Sequence, residues 1–542
     1  MTELLLVEGP PGTGKTTYLA GRCRATVKER GPRSVAIASL TRTAAAEIAG
    51  RDTGVPEDMV GTLHAHAYRA LDRPELAETP ERLREWNAAH PAFELGGGRR
   101  LEDAPDTDAG QAPGDELHAA VMNHRARLTP REAWTDPERE HDARWSDFKR
   151  QTDTLDFTDL IEQAIEQAPV HPAMPDVLLL DEAQDFSALE LRLAMTWAQR
   201  CRKAVVVGDP RQALYGWRGS DAGALYQLDG ARHELLRHSH RVPRAVHALA
   251  QDWAGQLEIG AAAYEPTSED GEVRQLEASL RDPAAIVDHA EAQDGTVMLL
   301  ASCSYMLAPL VHELRRRAIP FHNPYRAENG AWNPMRGARR LLAFLRPDER
   351  VWGDQARLWT WDDLRAWTEP LKAQGVLQRG AKQLIAEKCR PDRFGESQAH
   401  QGVPIETLCE LLGARDTTTH PAFRGDLDWW QDNLLASKAS AARYPVEVAR
   451  RRGGAALRAE PRVVVGTVHS VKGGQADHVV IAPDLSKQGY WHGLRNAGEP
   501  REGVLRMGYV ALTRARRSVS LLRPSVPEHL DLNLDRRMSL AS

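Results

Sequence analysis

The sequence predicts an α/β protein with parallel sheets, and three observations carry that reading. Largely apolar runs of strand length recur at residues 4–7, 34–40, 176–180 and 204–207, as in strands buried on both faces. Helical patterns alternate with them, the arrangement that gives parallel pairing. The first run enters Gly9-Pro10-Pro11-Gly12-Thr13-Gly14-Lys15-Thr16, and a helical stretch from Thr17 to about Arg30 follows.

Strand, Gly-x-x-x-x-Gly-Lys-Thr turn and helix together form a phosphate-binding loop. Its glycines let backbone N–H groups curl around phosphates, and the helix N-terminus adds positive dipole. Lys15 can reach the terminal phosphates, and Thr16 can offer its hydroxyl to Mg²⁺. Residues 9–17, including Thr17, are therefore candidate nucleotide contacts. Alone, this loop predicts only binding of a nucleoside triphosphate.

Composition narrows the class without naming a function. With 542 residues there is room for several domains, and 42% hydrophobic with 27% charged residues is the balance of a water-soluble globular chain. No apolar run approaches the ~20 residues a membrane span needs. Residues 4–7 are too short for a signal peptide and lead directly into the loop, so none is expected. The five cysteines form no Cys-x-x-Cys pair, which argues against zinc or an iron–sulfur cluster and fits a reducing cytosol. A net charge of -6 neither indicates nor excludes nucleic-acid binding, because a basic channel can be offset elsewhere.

Along the chain, 41–48 predicts a helix with Thr41 and Arg42 at its polar start. Thr62 and His64 open another helical stretch, where donors suit phosphate contacts. Residues 69–146 change character, with a polar helical segment near 80–90 and a Gly-, Asp- and Pro-rich acidic stretch over 102–116. A helical insertion with a solvated loop is expected there. The run at 176–180 then enters Asp181-Glu182-Ala183-Gln184-Asp185. Acids at a strand end can hold Mg²⁺ through Asp181 and polarise a water through Glu182. The next run ends in Gly208-Asp209-Pro210-Arg211-Gln212, followed by Tyr215-Gly216-Trp217-Arg218-Gly219. An aromatic pair with an arginine on a loop can stack on bases, at about 1–3 kcal/mol per base.

This series resembles the motifs of superfamily 1 helicases, specifically the UvrD/Rep/PcrA branch. Residues 181–185 and 208–219 match that family's second and third motifs. Leu235-Leu236-Arg237-His238-Ser239-His240-Arg241 resembles the fourth, residues 462–476 the fifth, and 506–515 the sixth. The resemblance implies two RecA-like P-loop NTPase domains with parallel sheets, each carrying a mainly helical insertion. The expected first domain is 1–68 and 147–235, with insertion 69–146. The second is 236–326 and 456–542, with insertion 327–455. That second insertion holds many tryptophans, read as core packing of a small helical domain in preference to a stacking surface.

By the same resemblance, Arg241 and Arg514 act as arginine fingers, Gln212 senses the γ-phosphate, and Gly473 lies at the nucleotide. Catalysis falls to Glu182, Lys15, Gln212, Arg241 and Arg514, with ATP and Mg²⁺ as cofactors and Thr16 and Asp181 holding the metal. DNA contacts are expected at Thr41, Arg42, Thr62, His64, Tyr215, Trp217, Arg218, Thr467 and His469. The implied activity is ATP-dependent translocation and unwinding, 3′-to-5′ on single-stranded DNA, in repair, replication or recombination. Its partners would be single-stranded DNA and duplex junctions, with a protein such as a nuclease or repair factor also in view; no membrane is involved and the location is cytoplasmic. The alternative is a nucleic-acid-sensing ATPase subunit that switches a partner nuclease.

The chain departs from the family pattern in places. The glutamine that reads adenine before the loop is not expected, because little sequence precedes residue 4. Thr17 and His240 replace an arginine and a tyrosine, so base selectivity is expected to be loose. Leu40 and Leu63 stand for phenylalanines in DNA-facing motifs, and Gln475 stands for a glutamate.

Overall fold

In the computed structural model, residues 2–40, 45, 48, 50–96, 112–220, 222–345, 357–391 and 397–532 are described. Thr41 and Arg42, expected at a DNA-facing helix start, lie outside the described residues, as do Trp352 and most of the acidic stretch at 102–116. The chain packs as two compact units. Unit 1 holds the residues up to Leu276, Ser302–Tyr305 and those from Asp477 onward; unit 2 holds Glu277–Ala301 and Met306–Ala476.

In unit 1 a six-stranded sheet runs β3-β2-β4-β5-β1-β6. Its strands are β1 (Glu3–Glu8), β2 (Val35–Ser39), β3 (Val60–Thr62), β4 (Val177–Asp181), β5 (Lys203–Gly208) and β6 (Arg232–Leu235). All pairings are parallel. Period-2 alternation splits the side chains between two cores. Leu6, Leu178, Leu180 and Val206 face Phe186, Leu193 and Trp197, while Leu5, Val7, Leu179, Val205 and Val207 face Leu19 and Cys23. Burial of both faces explains the saturated apolar runs.

The strand order positions the chemistry. β5 pairs with β1 on one side and β4 on the other. The C-terminal end of β5 therefore lies between the phosphate loop after β1 and the acids at the end of β4. In doubly wound sheets, ligands bind outside such strand ends.

The insertion in unit 1 is helical where described: Pro80–Ala89, Asp115–Ala126 and Asp136–Thr152. Trp86, Trp145 and Phe148 form its small core. A buried ion network ties it to the Phe157–Gln167 helix. Asp156 is fully buried and accepts from Arg125 Nη1 at 2.9 Å, Lys149 Nζ at 2.5 Å and Trp145 Nε1 at 2.9 Å. It also caps that helix through Asp159 N at 2.7 Å.

Parallel strand pairs recur elsewhere in each unit. Within unit 1, Glu272–Gln275 runs parallel to Ala515–Leu521. Within unit 2, Val463–Thr467 runs parallel to both Val297–Ala301 and Phe321–His322. The insertion of unit 2 packs Trp359, Trp361, Trp367 and Trp430 in its interior, each less than a tenth exposed. An α/β architecture with parallel sheets is what the sequence predicted.

Candidate nucleotide site and nucleic-acid interface

β1 delivers the chain into a loop whose Gly12 and Gly14 take left-handed backbone conformations, with φ of 75° and 81°. A Cβ on Gly12 would also lie 2.6 Å from the Arg241 Cβ and 2.7 Å from Ser239 Oγ. Only glycine satisfies both demands. Ser239 Oγ donates to the Pro11 carbonyl at 2.8 Å, and the His240 N–H donates to that of Gly12 at 2.8 Å. Residues 239–241 are thus laid along the phosphate loop. Lys15 is nearly buried, and its Nζ donates to the Gly9 carbonyl at 2.9 Å, a contact that a side chain on Gly9 would obstruct. Thr13 Oγ1 donates to Pro10 at 2.8 Å. Pro10 and Pro11 are buried, Thr16 is half-buried, and Thr17 is exposed beside Arg51 at 2.9 Å.

β4 ends at Asp181, which is buried. Glu182 follows with φ 52° and ψ 39°, a left-handed conformation that costs a non-glycine residue about 1–3 kcal/mol. Its carboxylate accepts from Gln184 Nε2, which also donates to Asp185 Oδ2 at 3.3 Å. Gln184 Oε1 accepts the Asp209 N–H at 3.0 Å, so one amide side chain ties the end of β4 to the end of β5. Gly208 leaves room for it, since a Cβ there would sit 2.7 Å from Gln184 Oε1.

Asp209 is fully buried; burial raises the pKa of its carboxyl, opposed first by the Lys15 charge and then by Arg211. Its Oδ2 accepts from Gln212 Nε2 at 2.7 Å, and Gln212 Oε1 accepts from Arg514 Nη2 at 2.8 Å. Arg514 is 1% exposed and held by its own helix, its Nε donating to the Val510 carbonyl at 3.0 Å. The oxygen donors at this end suit a hard cation: the Thr16 hydroxyl and the Asp181 carboxylate. Among the described residues no group of three or more His, Cys, Asp or Glu could hold a metal alone. Mg²⁺, which keeps waters and substrate phosphates in its shell, fits such a sparse oxygen set.

The loop after Gln212 leads from the buried site to the surface. Leu214 N–H donates to Asp185 Oδ1 at 3.4 Å, and Ser187 and Ser220 form an antiparallel bridge. Trp217 at the loop's tip is 37% exposed. Tyr215 is buried beneath it, ring centroids 6.2 Å apart in an edge-on arrangement. Arg218 lies 3.8 Å from Glu190, whose Oε1 is also 3.3 Å from His64 Nδ1. Burial lowers the His64 imidazole pKa, opposed by the Glu190 charge. Thr62 caps the Leu63–Ala70 helix, accepting from Ala65 N at 3.1 Å.

Sequence reasoning missed the residues that hold this loop. Asn123 Nδ2 donates to the Trp217 carbonyl, and Arg127 Nη2 to that of Gly216 at 2.6 Å. Arg506 Nε donates to the Ala213 carbonyl at 2.9 Å and pairs with Glu499. Glu190 was findable: Ser187 and Glu190 form a Ser-x-x-Glu capping box, and this carboxylate takes the Ser187 N–H at 2.8 Å. For Asn123 and Arg127 no local signal exists, because they lie about 90 residues from the carbonyls they meet.

Lys15, Thr16, Asp181, Glu182, Gln212, Arg241 and Arg514 all belong to unit 1. Thr467, His469 and Gly473 belong to unit 2. There Thr467 ends a strand and accepts from Ser470 N at 3.2 Å, His469 is half-buried, and Gly473 makes an exposed turn at φ 80°.

Comparison with known proteins agrees with this architecture. Residues 1–231 match the family described as UvrD/REP helicase N-terminal domain. Over those residues the chain is similar to the UvrD/Rep/PcrA branch of helicase superfamily 1. The ATP-dependent DNA helicase PcrA of Staphylococcus aureus is 25% identical to it over 240 residues, 40% of this chain and 32% of the relative. The PcrA of Leuconostoc citreum is 26% identical over 252 residues, 42% of this chain and 33% of the relative. That of Staphylococcus epidermidis is 25% identical over 243 residues, 40% and 32%. The chain thus matches about a third of the length of these curated relatives. None of its described helices is long and apolar enough to cross a membrane.

Proposed function

We propose that this chain is an ATP-dependent DNA motor, hydrolysing ATP to move along single-stranded DNA 3′-to-5′ and separate duplex. One observation supports it above others. Gln212 is bonded to Asp209 and Arg514 at the buried end of a loop that presents Trp217 to solvent five residues later. A change in phosphate occupancy at Gln212 has a short covalent path to a base-stacking tryptophan. Asp185–Leu214 and Ser187–Ser220 brace the same loop from the acids' side.

In this mechanism the backbone of residues 9–14 cradles the phosphates, and Lys15 leaves the Gly9 carbonyl for the β- and γ-phosphates. Mg²⁺, held by Thr16 and Asp181, would supply charge neutralisation to the transferring phosphoryl group. Glu182, fixed by its left-handed backbone, orients the attacking water and accepts its proton at the carboxylate. Arg241 and Arg514 stabilise the transition-state charge, an effect worth ~10³–10⁵ in rate for arginine fingers. In this reading residues 236–326 and 456–542 make the second RecA-like domain. Thr62, His64, Thr467 and His469 contact the strand's backbone, Trp217 stacks on a base, and Tyr215 and Arg218 shape that contact. The setting is DNA repair, replication or recombination in the cytoplasm, with duplex junctions as substrate and a nuclease or repair factor as partner.

The decisive experiment is ATP turnover with and without single-stranded DNA, in the wild type, Glu182→Gln and Trp217→Ala. Strong stimulation by DNA is expected, with turnover abolished in Glu182→Gln and stimulation weakened in Trp217→Ala. Turnover indifferent to nucleic acid would overturn the motor. Turnover stimulated by DNA without displacement of 3′- or 5′-tailed duplexes would favour a sensing ATPase that switches a partner.

A further inference from the structure

The most exposed tryptophan among the described residues is Trp491, at 57%, not Trp217. It lies on Gly489–Leu494, a one-turn π-helix in unit 1, a rare element often found at functional sites. Tyr490 stands edge-on to it at 5.2 Å, and the Arg495 guanidinium lies 5.4 Å from the Tyr490 ring centre. Lys487, Gln488, Trp491 and His492 line an open depression of about 520 Å³. Lys487, His492 and Arg495 are all exposed. An aromatic face left in water near the charged Lys487 and Arg495 has lost the burial that normally repays a tryptophan.

From this juxtaposition we propose that Tyr490–Trp491 is a second stacking platform for single-stranded nucleic acid, its bases on Trp491 and its phosphates on Lys487 and Arg495. The inference rests on the motor reading and extends its substrate path beyond Trp217. The charge pattern selects the occupant. Exposed cations around a flat π-face complement a polyanion whose every monomer carries a flat ring. An apolar helix from a protein partner would leave those cations unpaired.

The platform is also mechanically connected to the nucleotide site. A Cβ on Gly493 would fall 2.7 Å from Val504 Cγ2, so the turn is seated closely on the Glu499–Leu512 helix. Glu499 of the same helix fills the space beside Gly216, and Arg514, two residues past its end, bonds Gln212. One helix therefore touches the Trp217 loop, the Trp491 turn and the nucleotide sensor.

The test uses the full chain and labelled oligothymidylates of about 6 and about 16 nucleotides, within the span of known single-strand sites. Trp491→Ala should weaken binding of the longer oligomer roughly five- to a hundredfold and the shorter one much less, with Trp491→Phe restoring most of it. Lys487→Glu should reduce the salt dependence of binding. Photo-crosslinking of the wild type to iodouracil-substituted oligomer should label residues 487–495. Unchanged affinity in Trp491→Ala without crosslinks there, while Trp217→Ala loses binding, would overturn the platform and leave the motor standing. Loss of a purified protein partner's binding in Trp491→Ala, with oligomer affinity unchanged, would assign the patch to protein and equally overturn it. Failure of the wild type to bind any oligomer would overturn both readings.

Discussion

Both helical insertions hold aromatic cores, and that of unit 1 adds a buried ion network. In unit 2, Trp359, Trp361, Trp367 and Trp430 are interior, with Phe344 stacked against Trp430 at 5.9 Å and edge-on to Trp367 at 5.3 Å. In unit 1, Arg125 and Lys149 converge on the buried Asp156, while Asp159 pairs with both cations and Glu162 with Arg125. The unit 1 insertion also reaches the Trp217 loop through Asn123 and Arg127. Tryptophans therefore pack the core of the unit 2 insertion, whereas in unit 1 the exposed Trp217 sits on a loop braced by polar contacts.

That contrast can be broken most forcefully at Trp367. Trp367→Ala empties a fully buried site and should destabilise unit 2 by about 3–5 kcal/mol, read by chemical denaturation. Its residual folded fraction should bind DNA normally, and a specific loss of DNA affinity would refute the packing role.

Asp156→Ala removes the most buried carboxylate from Arg125 and Lys149, leaving them Asp159 and Glu162, and should cost about 1–3 kcal/mol, whereas replacing Asp156, Arg125 and Lys149 together by apolar residues should cost less. Equal costs would show that the network is not electrostatically coupled.

Glu78 gives a pH-dependent test. Burial first, then the neighbouring Asp156 charge, holds its carboxyl up at about 8, above the usual carboxylate range. The folded state thus keeps a proton that the unfolded state releases, and stability should fall as pH rises from about 4.5 through 8. Glu78→Gln should flatten that fall in melting temperature measured across the range; an unchanged slope would remove Glu78 from the account.

The smallest effect on stability, and the most informative about coupling, is Arg127→Met. It removes one partly exposed bond to the Gly216 carbonyl and should change stability by less than about 1 kcal/mol. DNA-stimulated ATP turnover should nevertheless drop severalfold, while turnover without DNA stays level. No drop would mean that the insertion does not steady the loop.

The sequence by itself determined the parallel α/β class, because strands buried on both faces must be apolar throughout and leave a direct signature. It also determined the strand–turn–helix context of Gly9–Thr16 and the acids ending β4, where chemistry depends on residues adjacent in the chain. Tertiary structure alone decided which tryptophans are surface and which are core, since exposure is a property of what packs over a residue. The family resemblance put Arg514 and Gln212 at one phosphate, but their direct bond across 302 positions of chain, and that of Arg127 to Gly216, came from the tertiary structure. Contacts of that separation carry no local periodicity or spacing, so no reading of the chain in order could have paired them.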